Sequence, residues 1–375
     1  MDDNKIKIAV LDIKITKNLG GSEVISKYLA EELSKYYEIT YIGRPFDVHS
    51  KNIYPFTKFL DAFPIKKGLG RVLVKFPYFR PLFLKNLNLD YDLIISNSNY
   101  DNLIIKFPKK DNITYNSIII VKHGPYVNFG STYPDSLIKS KSFKIVALNK
   151  KEFSKLNSKY DSKNLKLVYP GIKLEEYLFD EDRLKRFNLD LDKKMIFSIG
   201  RLEEKQKKLS LALEAVAVLS KKYANFVYVI AGKGPDKELY ERMVKRLNIQ
   251  TFVKIIGFVS DEEKYLFIKN AAVVLQTSEK ENLSAVMAET LSLGSIFLTT
   301  RNPSSEEVII DNENGFFTEP SPEKIADKLL EIFNLSEDKM AEIRRNAINL
   351  AEKFTLRKMI TEYINIIQEL ISSRG

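Results

Sequence analysis

Two glutamates eight positions apart, Glu281 and Glu289, lie in the stretch SEKENLSAVMAETLSLG that runs from Ser278 to Gly294. Carboxylates at such a spacing can accept hydrogen bonds from hydroxyl groups at two places on one ligand. Between and after them, Val286, Met287, Thr290 and Leu291 stand at helical spacing. A helix starting near Leu283 or Ser284 would turn its unpaired N–H groups toward the same place, where they favour an anion. The combination suits a phosphorylated ligand with hydroxyls on both sides of the phosphate. In the competing reading the helix dipole places Glu281 as an exposed acid, and Glu289 is a solvated helix residue. Against the latter, Ala285, Met287, Ala288, Leu291, Leu293 and Gly294 leave little polar surface around Glu289, and a buried acid needs a partner or a ligand.

Positioning such a site takes a strand before it and a helix after it. The apolar run Ala271 to Leu275 supplies the strand, and a ligand held at the carboxyl edge of a parallel sheet is the common use of this arrangement. Similar runs recur along the chain. Lys7 to Ile13, Glu38 to Gly43, Tyr91 to Ser96, Ser117 to Lys122, Phe143 to Asn149 and Lys166 to Tyr169 read as strands of a first half. Met195 to Gly200, Phe226 to Gly232, Val253 to Gly257 and Ser295 to Thr300 read as strands of a second. RLEEKQKK, Arg201 to Lys208, reads as a loop before a helix over Leu209 to Leu219; further helices are expected over Pro322 to Phe333, Ser336 to Lys353 and Arg357 to Ser372.

In the first half, Gly20 and Gly21 precede a helical pattern, so backbone can approach a ligand there, or simply turn tightly. His123 follows a strand directly and precedes Gly124 and Pro125; it reads as a polar contact to substrate or as a turn histidine bonded to backbone. Asp90 and Asp92 flank a strand start and read as turn residues.

The alternation of strands and helices in halves of similar length predicts two doubly wound α/β domains facing a central cleft. A chain of 375 residues is long enough for both. The boundary is expected at 184/185, with Lys185 to Lys194 as the linker. With no cysteine there are no disulfides or thiolate metal sites, and two histidines, His49 and His123, exclude a multi-histidine centre. No stretch is long and apolar enough to span a membrane, and the start MDDNKIKIAVLD is expected to carry no leader, which predicts a cytoplasmic protein.

Most of the net charge of +10 lies in one segment. From Lys51 to Lys85 eight basic residues face one acid, Asp61, and are interleaved with aromatic and aliphatic side chains. That mixture predicts peripheral contact with an anionic membrane surface, at its inner face; a solvated surface over core aromatics is the plainer reading. No nucleic-acid motif accompanies the charge, so no nucleic-acid partner is expected.

Five strings occur in register in the second half: GRLEEKQKK, VIAGKGP, KIIGFVSDEEKYLFIKNAAVVLQTSEKEN, the Glu281/Glu289 pair and SSEEVIIDNENGFF. Over nearly all its length this half resembles the retaining nucleotide-sugar glycosyltransferases of family 4 and the GT-B fold. The first half resembles them more loosely, through LGGSE, VKHGPY, ALNK and LVYPGIKLEEY. The resemblance implies that Arg201 and Lys207 contact the pyrophosphate of a UDP-, GDP- or ADP-linked sugar, with Lys205 an alternative for Lys207. It implies that Glu281 holds hydroxyls of the transferred sugar, that Leu283, Ser284 and Ala285 offer backbone N–H groups, and that Glu289 accepts from the ribose. Gly20 and Gly21 would approach the pyrophosphate and His123 the reacting sugar, and the last segment, 357–375, would cross back to the first domain. The chain departs from the pattern at Asn282, Leu283 and Ser284, where the family has glycine, phenylalanine and glycine, and at Lys208, where it has glycine. It also lacks the proline the family prefers near Gly294. The implied activity is a retaining, metal-independent hexosyl transfer to a glycan or lipid-linked acceptor, needing no cofactor beyond the donor. A nucleotide-sugar 2-epimerase and a non-catalytic glycan-binding or partner subunit are the alternatives.

Overall fold

The computed structural model describes residues 5–12, 21–43, 58–61, 89–97, 113–122, 142–174, 182–190, 192–279, 281 and 283–373. The chain divides into two compact units, one of Met1–Gly171 with Leu356–Gly375, the other of Ile172–Thr355.

The first unit is built on β1 (Lys7–Asp12), α1 (Gly21–Leu33), β2 (Glu38–Gly43), β3 (Lys58–Asp61), β4 (Leu89–Ser96), β5 (Ile113–Lys122), β6 (Ser142–Ala147), α2 (Lys150–Asn157) and β7 (Leu165–Leu167). Its seven strands are parallel in the order β3-β2-β1-β4-β5-β6-β7. Continuous apolar runs such as Ile8 to Leu11 are buried because both faces of a parallel sheet are covered. The order reverses beside β1, between β1 and β4. Asp90 and Asp92 lie inside β4 rather than in a turn, and Asp92 Oδ2 accepts from the Lys7 N–H at 2.9 Å. The acid is tolerated in a strand because it satisfies a backbone donor at the strand's end.

The second unit holds α3 (Asp182–Lys185), β8 (Lys194–Ile199), α4 (Glu204–Lys207), α5 (Leu209–Leu219), β9 (Phe226–Ala231), α6 (Lys237–Arg246), β10 (Val253–Gly257), α7 (Asp261–Asn270), β11 (Val273–Gln276), α8 (Ala285–Ser292), β12 (Phe297–Thr300), α9 (Ser305–Val308), β13 (Phe316–Thr318), α10 (Pro322–Phe333) and α11 (Glu337–Ala351). Six parallel strands run β10-β9-β8-β11-β12-β13, reversing between β8 and β11. The stretch RLEEKQKK is not all loop, since α4 lies within it.

The chain passes into the second unit at Ile172, not at 185. The segment that reads as a linker, Lys185 to Lys194, is anchored there, as are residues before it: the Ile172 N–H donates to Phe354 O at 2.8 Å, Leu184 is fully buried, and Arg183 and Arg186 pair with Glu262 and Glu263 of α7. Phe187 sets its edge against Phe267, ring centroids 5.0 Å apart. Few apolar anchors suffice, so composition alone reads the stretch as solvated.

The last helix, α12 (Leu356–Ser372), belongs to the first unit. Met359, Ile360, Tyr363, Ile366, Ile367 and Leu370 form a stripe at helical spacing that joins the first unit's core. Beside the stripe Glu369 pairs with both Lys144 and Lys166. Lys144 is buried and also donates to Lys163 O at 2.7 Å. Hydrogen bonds from Lys144, then Lys166, hold the Glu369 carboxyl below the usual carboxylate range against the opposing effect of burial.

A carboxyl whose folded pKa is depressed contributes stability above its unfolded value and loses it as the pH falls through the folded one. Glu369→Gln is therefore expected to lower unfolding stability at neutral pH by up to about 1 kcal/mol, the scale of a half-exposed pair. Denaturant titrations of both proteins should show the difference shrinking as the pH falls below the ordinary glutamate range.

Candidate functional site

In the second unit a recess opens at the carboxyl ends of β8, β9 and β11, with Gly200, Arg201, Lys207, Thr277 and Ser278 among its walls. It therefore sits where the strand order reverses, the usual ligand position of an open parallel sheet. The walls are brought together by main chain. The Gly200 N–H donates to Ala231 O at 3.1 Å and the Leu202 N–H to Lys233 O at 3.0 Å, so the loops after β8 and β9 lie one on the other. Gly232 has φ +137°, and a Cβ there would come within 1.8 Å of Gly200 O; at Gly234 it would come within 2.1 Å of Leu202 O. Glycine is required at Gly232 on both counts. A Cβ at Gly200 would lie 3.1 Å from Lys207 Cε, so that position leaves room for the lysine to cross.

The loop carrying Lys207 is fixed from below. The Glu204 carboxylate accepts from the Ser210 hydroxyl, from Ser210 N–H at 3.2 Å and from Tyr240 OH at 3.1 Å, while the Glu204 N–H donates to Asp236 Oδ2 at 2.7 Å. Burial, and then the charge of Glu204, pushes the Tyr240 phenol well above its ordinary value, so it stays a donor. From the other side the Thr277 hydroxyl lies 3.0 Å from Lys207 O and 2.9 Å from Lys208 O. Lys208 adopts the left-handed conformation, φ 50°, ψ 41°. Its position is thus one that suits glycine, and the lysine is held there by these bonds.

Lys207 Nζ lies 2.6 Å from Glu281 Oε1, with the two side chains 16% and 11% exposed. The cation of one loop and the first glutamate of another therefore meet at the recess. Arg201 stands on its wall, 53% exposed, its Nε 3.3 Å from Glu203 Oε2. Lys205 is exposed on α4 and does not line the recess, which favours Lys207 for a role there. The Ser278 hydroxyl is buried without a hydrogen-bond partner among the described residues.

The helix after the loop, α8, begins at Ala285, with Ser284 as its cap: Ser284 Oγ accepts from the Met287 N–H at 3.2 Å. The Ser284 N–H donates to Ser304 Oγ at 3.2 Å, which takes one of the backbone donors expected to face a ligand. Leu283 is half-buried and Ala285 exposed. Glu289 is buried, 6% exposed, with Lys264 Nζ at 2.7 Å and Tyr265 OH at 3.4 Å, both on Oε1. Burial pushes its carboxyl up against the opposing pull of the Lys264 ammonium. The partner demanded by this buried acid is thus Lys264, a residue the sequence reading had not singled out.

Thr277 and Ser304 were also missed. Asn302 with Ser304 and Ser305 is a local turn signature that could have flagged the latter: Asn302 Oδ1 accepts from both serine N–H groups at 3.1 Å. Gly21 begins α1. Gly20, His123, Asn282 and nearly all of the basic segment 51–85 lie outside the described residues.

Residues 179–350 match the model of the family described as glycosyl transferases group 1. An uncharacterized glycosyltransferase of Haemophilus influenzae is 24% identical over 93% of this chain and 96% of its own length. The alpha-monoglucosyldiacylglycerol synthase of Acholeplasma laidlawii is 25% identical over 32% of this chain and 30% of its own. Among solved structures, Anabaena HepE in complex with UDP-glucose superposes with a TM-score of 0.74 at 15% identity, over 97% of this chain and all of that one. The chain has the GT-B fold.

Gly232→Ala is expected to destabilise the second unit by about 3 kcal/mol or more, since it combines a Cβ clash with main chain and an unfavourable φ. Thermal unfolding read against the parent should show it.

Proposed function

We propose that this chain, a glycosyltransferase by its group 1 domain and its GT-B fold, moves a sugar from a nucleotide-sugar donor to a glycan or lipid-linked acceptor, retaining the anomeric configuration and using no metal ion. The observation that carries the reading is the meeting of Lys207 with Glu281 at a recess on the strand-order reversal, with Arg201 on its wall. An anionic pyrophosphate would take Lys207 from Glu281. The freed carboxylate would then accept from hydroxyls of the transferred sugar, so one ligand satisfies both halves of a nearly dry ion pair. Glu289 would accept from the ribose.

In the reaction the bond from the sugar's anomeric carbon to the phosphate oxygen breaks, and a bond to the acceptor oxygen forms on the same face. The acceptor's proton passes to the departing phosphate, and a nucleoside diphosphate leaves. Negative charge grows on that phosphate, and the paired cations Arg201 and Lys207 stabilise it where a metal would otherwise serve. No protein nucleophile is needed, and the protein's contribution is position and electrostatics. A UDP-linked donor is favoured by the UDP-glucose bound in Anabaena HepE.

A thermal-shift panel of UDP, GDP and ADP, run in EDTA on the wild type and on Glu289→Ala, tests this. One nucleotide should stabilise the wild type, by about 2.7 kcal/mol at a hundredfold excess over its Kd, and leave Glu289→Ala unmoved. No stabilisation by any nucleotide would sink the donor reading; a shift seen only on adding a divalent metal would overturn metal independence.

A lipid-linked acceptor is supported by the basic and aromatic composition of 51–85 and by the name of the Acholeplasma relative. The protein should float with liposomes in proportion to their anionic lipid content, and flotation indifferent to it would remove that support.

A further inference from the structure

We propose that Lys264 is a positioning residue for the nucleotide's ribose: it pins Glu289 by one carboxylate oxygen and leaves the other as an ionised acceptor for the ribose hydroxyls. The inference rests on the reading of Glu289 given above and extends it to a residue on another helix.

The geometry is one-sided. Lys264 Nζ and Tyr265 OH both reach Oε1 of Glu289, and no bond to Oε2 is made among the described residues. The Glu289 side chain is 8% exposed. It therefore keeps some access for a ligand. Lys264 is itself held firmly. Its side chain is 15% exposed, its ammonium lies 2.9 Å from Asp261 Oδ1, and it sits over the Tyr265 ring at 4.5 Å from the centroid. The start of α7 that carries these groups is fixed by a reciprocal cap between Ser260 and Glu263. Tyr265 OH also lies 3.1 Å from Lys173 O, so its orientation does not depend on Glu289 alone.

The surroundings make the lysine necessary. Glu289 is 6% exposed and its carboxyl is raised chiefly by burial, and a carboxyl withdrawn from water tends to take a proton. Among the described residues the charged and titratable groups that face Glu289 from α7 are Lys264, Asp261 and Tyr265, and Asp261 opposes ionisation. From α11, the other helix packed on α8, Ile348 and the Arg344 carbonyl lie near Gly294, beyond the far end of α8. Among the described residues Lys264 is the cation in contact with Glu289, and it favours the charged carboxylate. A neutral carboxyl would be a poorer acceptor for hydroxyl groups than a carboxylate.

The test is equilibrium binding of UDP and GDP, each beside its 2′-deoxy form, between about pH 7 and about pH 9, where a glutamate titrates only if its pKa is strongly raised. Wild type should prefer the ribonucleotide at every pH. Lys264→Met should weaken binding of the preferred ribonucleotide about tenfold or more at the low end, the worth of a charge-assisted hydrogen bond, and recover as rising pH ionises Glu289. Its preference over the 2′-deoxy form should shrink at the low end, and Lys264→Arg should behave as wild type. If Lys264→Met does not fold, Lys264→Gln, which keeps a donor but not the charge, should show the same pH dependence. A neutral variant with wild-type affinity at every pH, or one losing both nucleotide forms equally with no pH dependence, would overturn the proposal. Glu289→Gln separates the two levels. If it abolishes the ribose preference while Lys264→Met keeps it, the ribose reading stands and the role of Lys264 falls; if it leaves the preference intact, the ribose reading itself fails.

Discussion

A carboxylate withdrawn from water must be matched by a cation or a hydrogen-bond donor, and the second unit is arranged around meeting that demand twice. Glu281 and Glu289 are both nearly dry, and each is met by a lysine from elsewhere in the chain: Lys207 from the loop after β8, Lys264 from the start of α7. A buried ion pair contributes little net stability, because desolvation cancels much of the attraction. Its consequence is instead that each group sits in one place. Two oriented carboxylates and two oriented ammonium groups near the carboxyl edge of a sheet form a charge pattern that a phosphorylated, hydroxylated ligand can satisfy better than water can.

Holding Lys207 in that place depends on main-chain contact. The loops after β8 and β9 approach closely because Gly232 has no Cβ, and the loop after β8 continues into the short helix α4. Four residues of helix have no stability of their own. Glu204 ties α4 to α5 and α6 through Ser210, Tyr240 and Asp236, and Thr277 ties its end to the strand bearing the loop of Glu281. The left-handed Lys208 then turns the chain into α5. The left-handed conformation at Lys208 is one that glycine adopts without strain, and here a lysine is held in it by the Lys208 N–H to Glu204 O bond and the Thr277 hydroxyl beside Lys207 O and Lys208 O.

Much of the architecture was legible because parallel strands buried on both faces must be apolar throughout. KIAVLD, KMIFSI and FVYVIA declare themselves, and their alternation with amphipathic segments leaves few topologies other than a doubly wound sheet. The stripe from Met359 to Leu370 marks α12 as a packed helix in the same way. Segments that depart from those patterns were read less well. The stretch from Lys185 to Lys194 is charged in composition, yet Arg186 and Phe187 tie it to the second unit. Asp90 and Asp92 look like turn residues and lie inside β4, since a strand's end can use an acid to satisfy a neighbouring backbone donor.

At the site the same division holds. Sequence alone determined that two glutamates stand on either side of a helix start after a buried strand, that cations follow an earlier strand, and that Glu289 has apolar neighbours. Such properties are local, set by residue type and by the period of a helix or strand. Only the tertiary structure decided that Lys207 and not Lys205 turns into the recess, that Ser304 takes the Ser284 N–H, and that Lys264 answers Glu289. These pairings join residues 20 to 74 positions apart. No periodicity within one element encodes them, because they arise from how separate elements pack and from the requirement that each buried polar group find a partner.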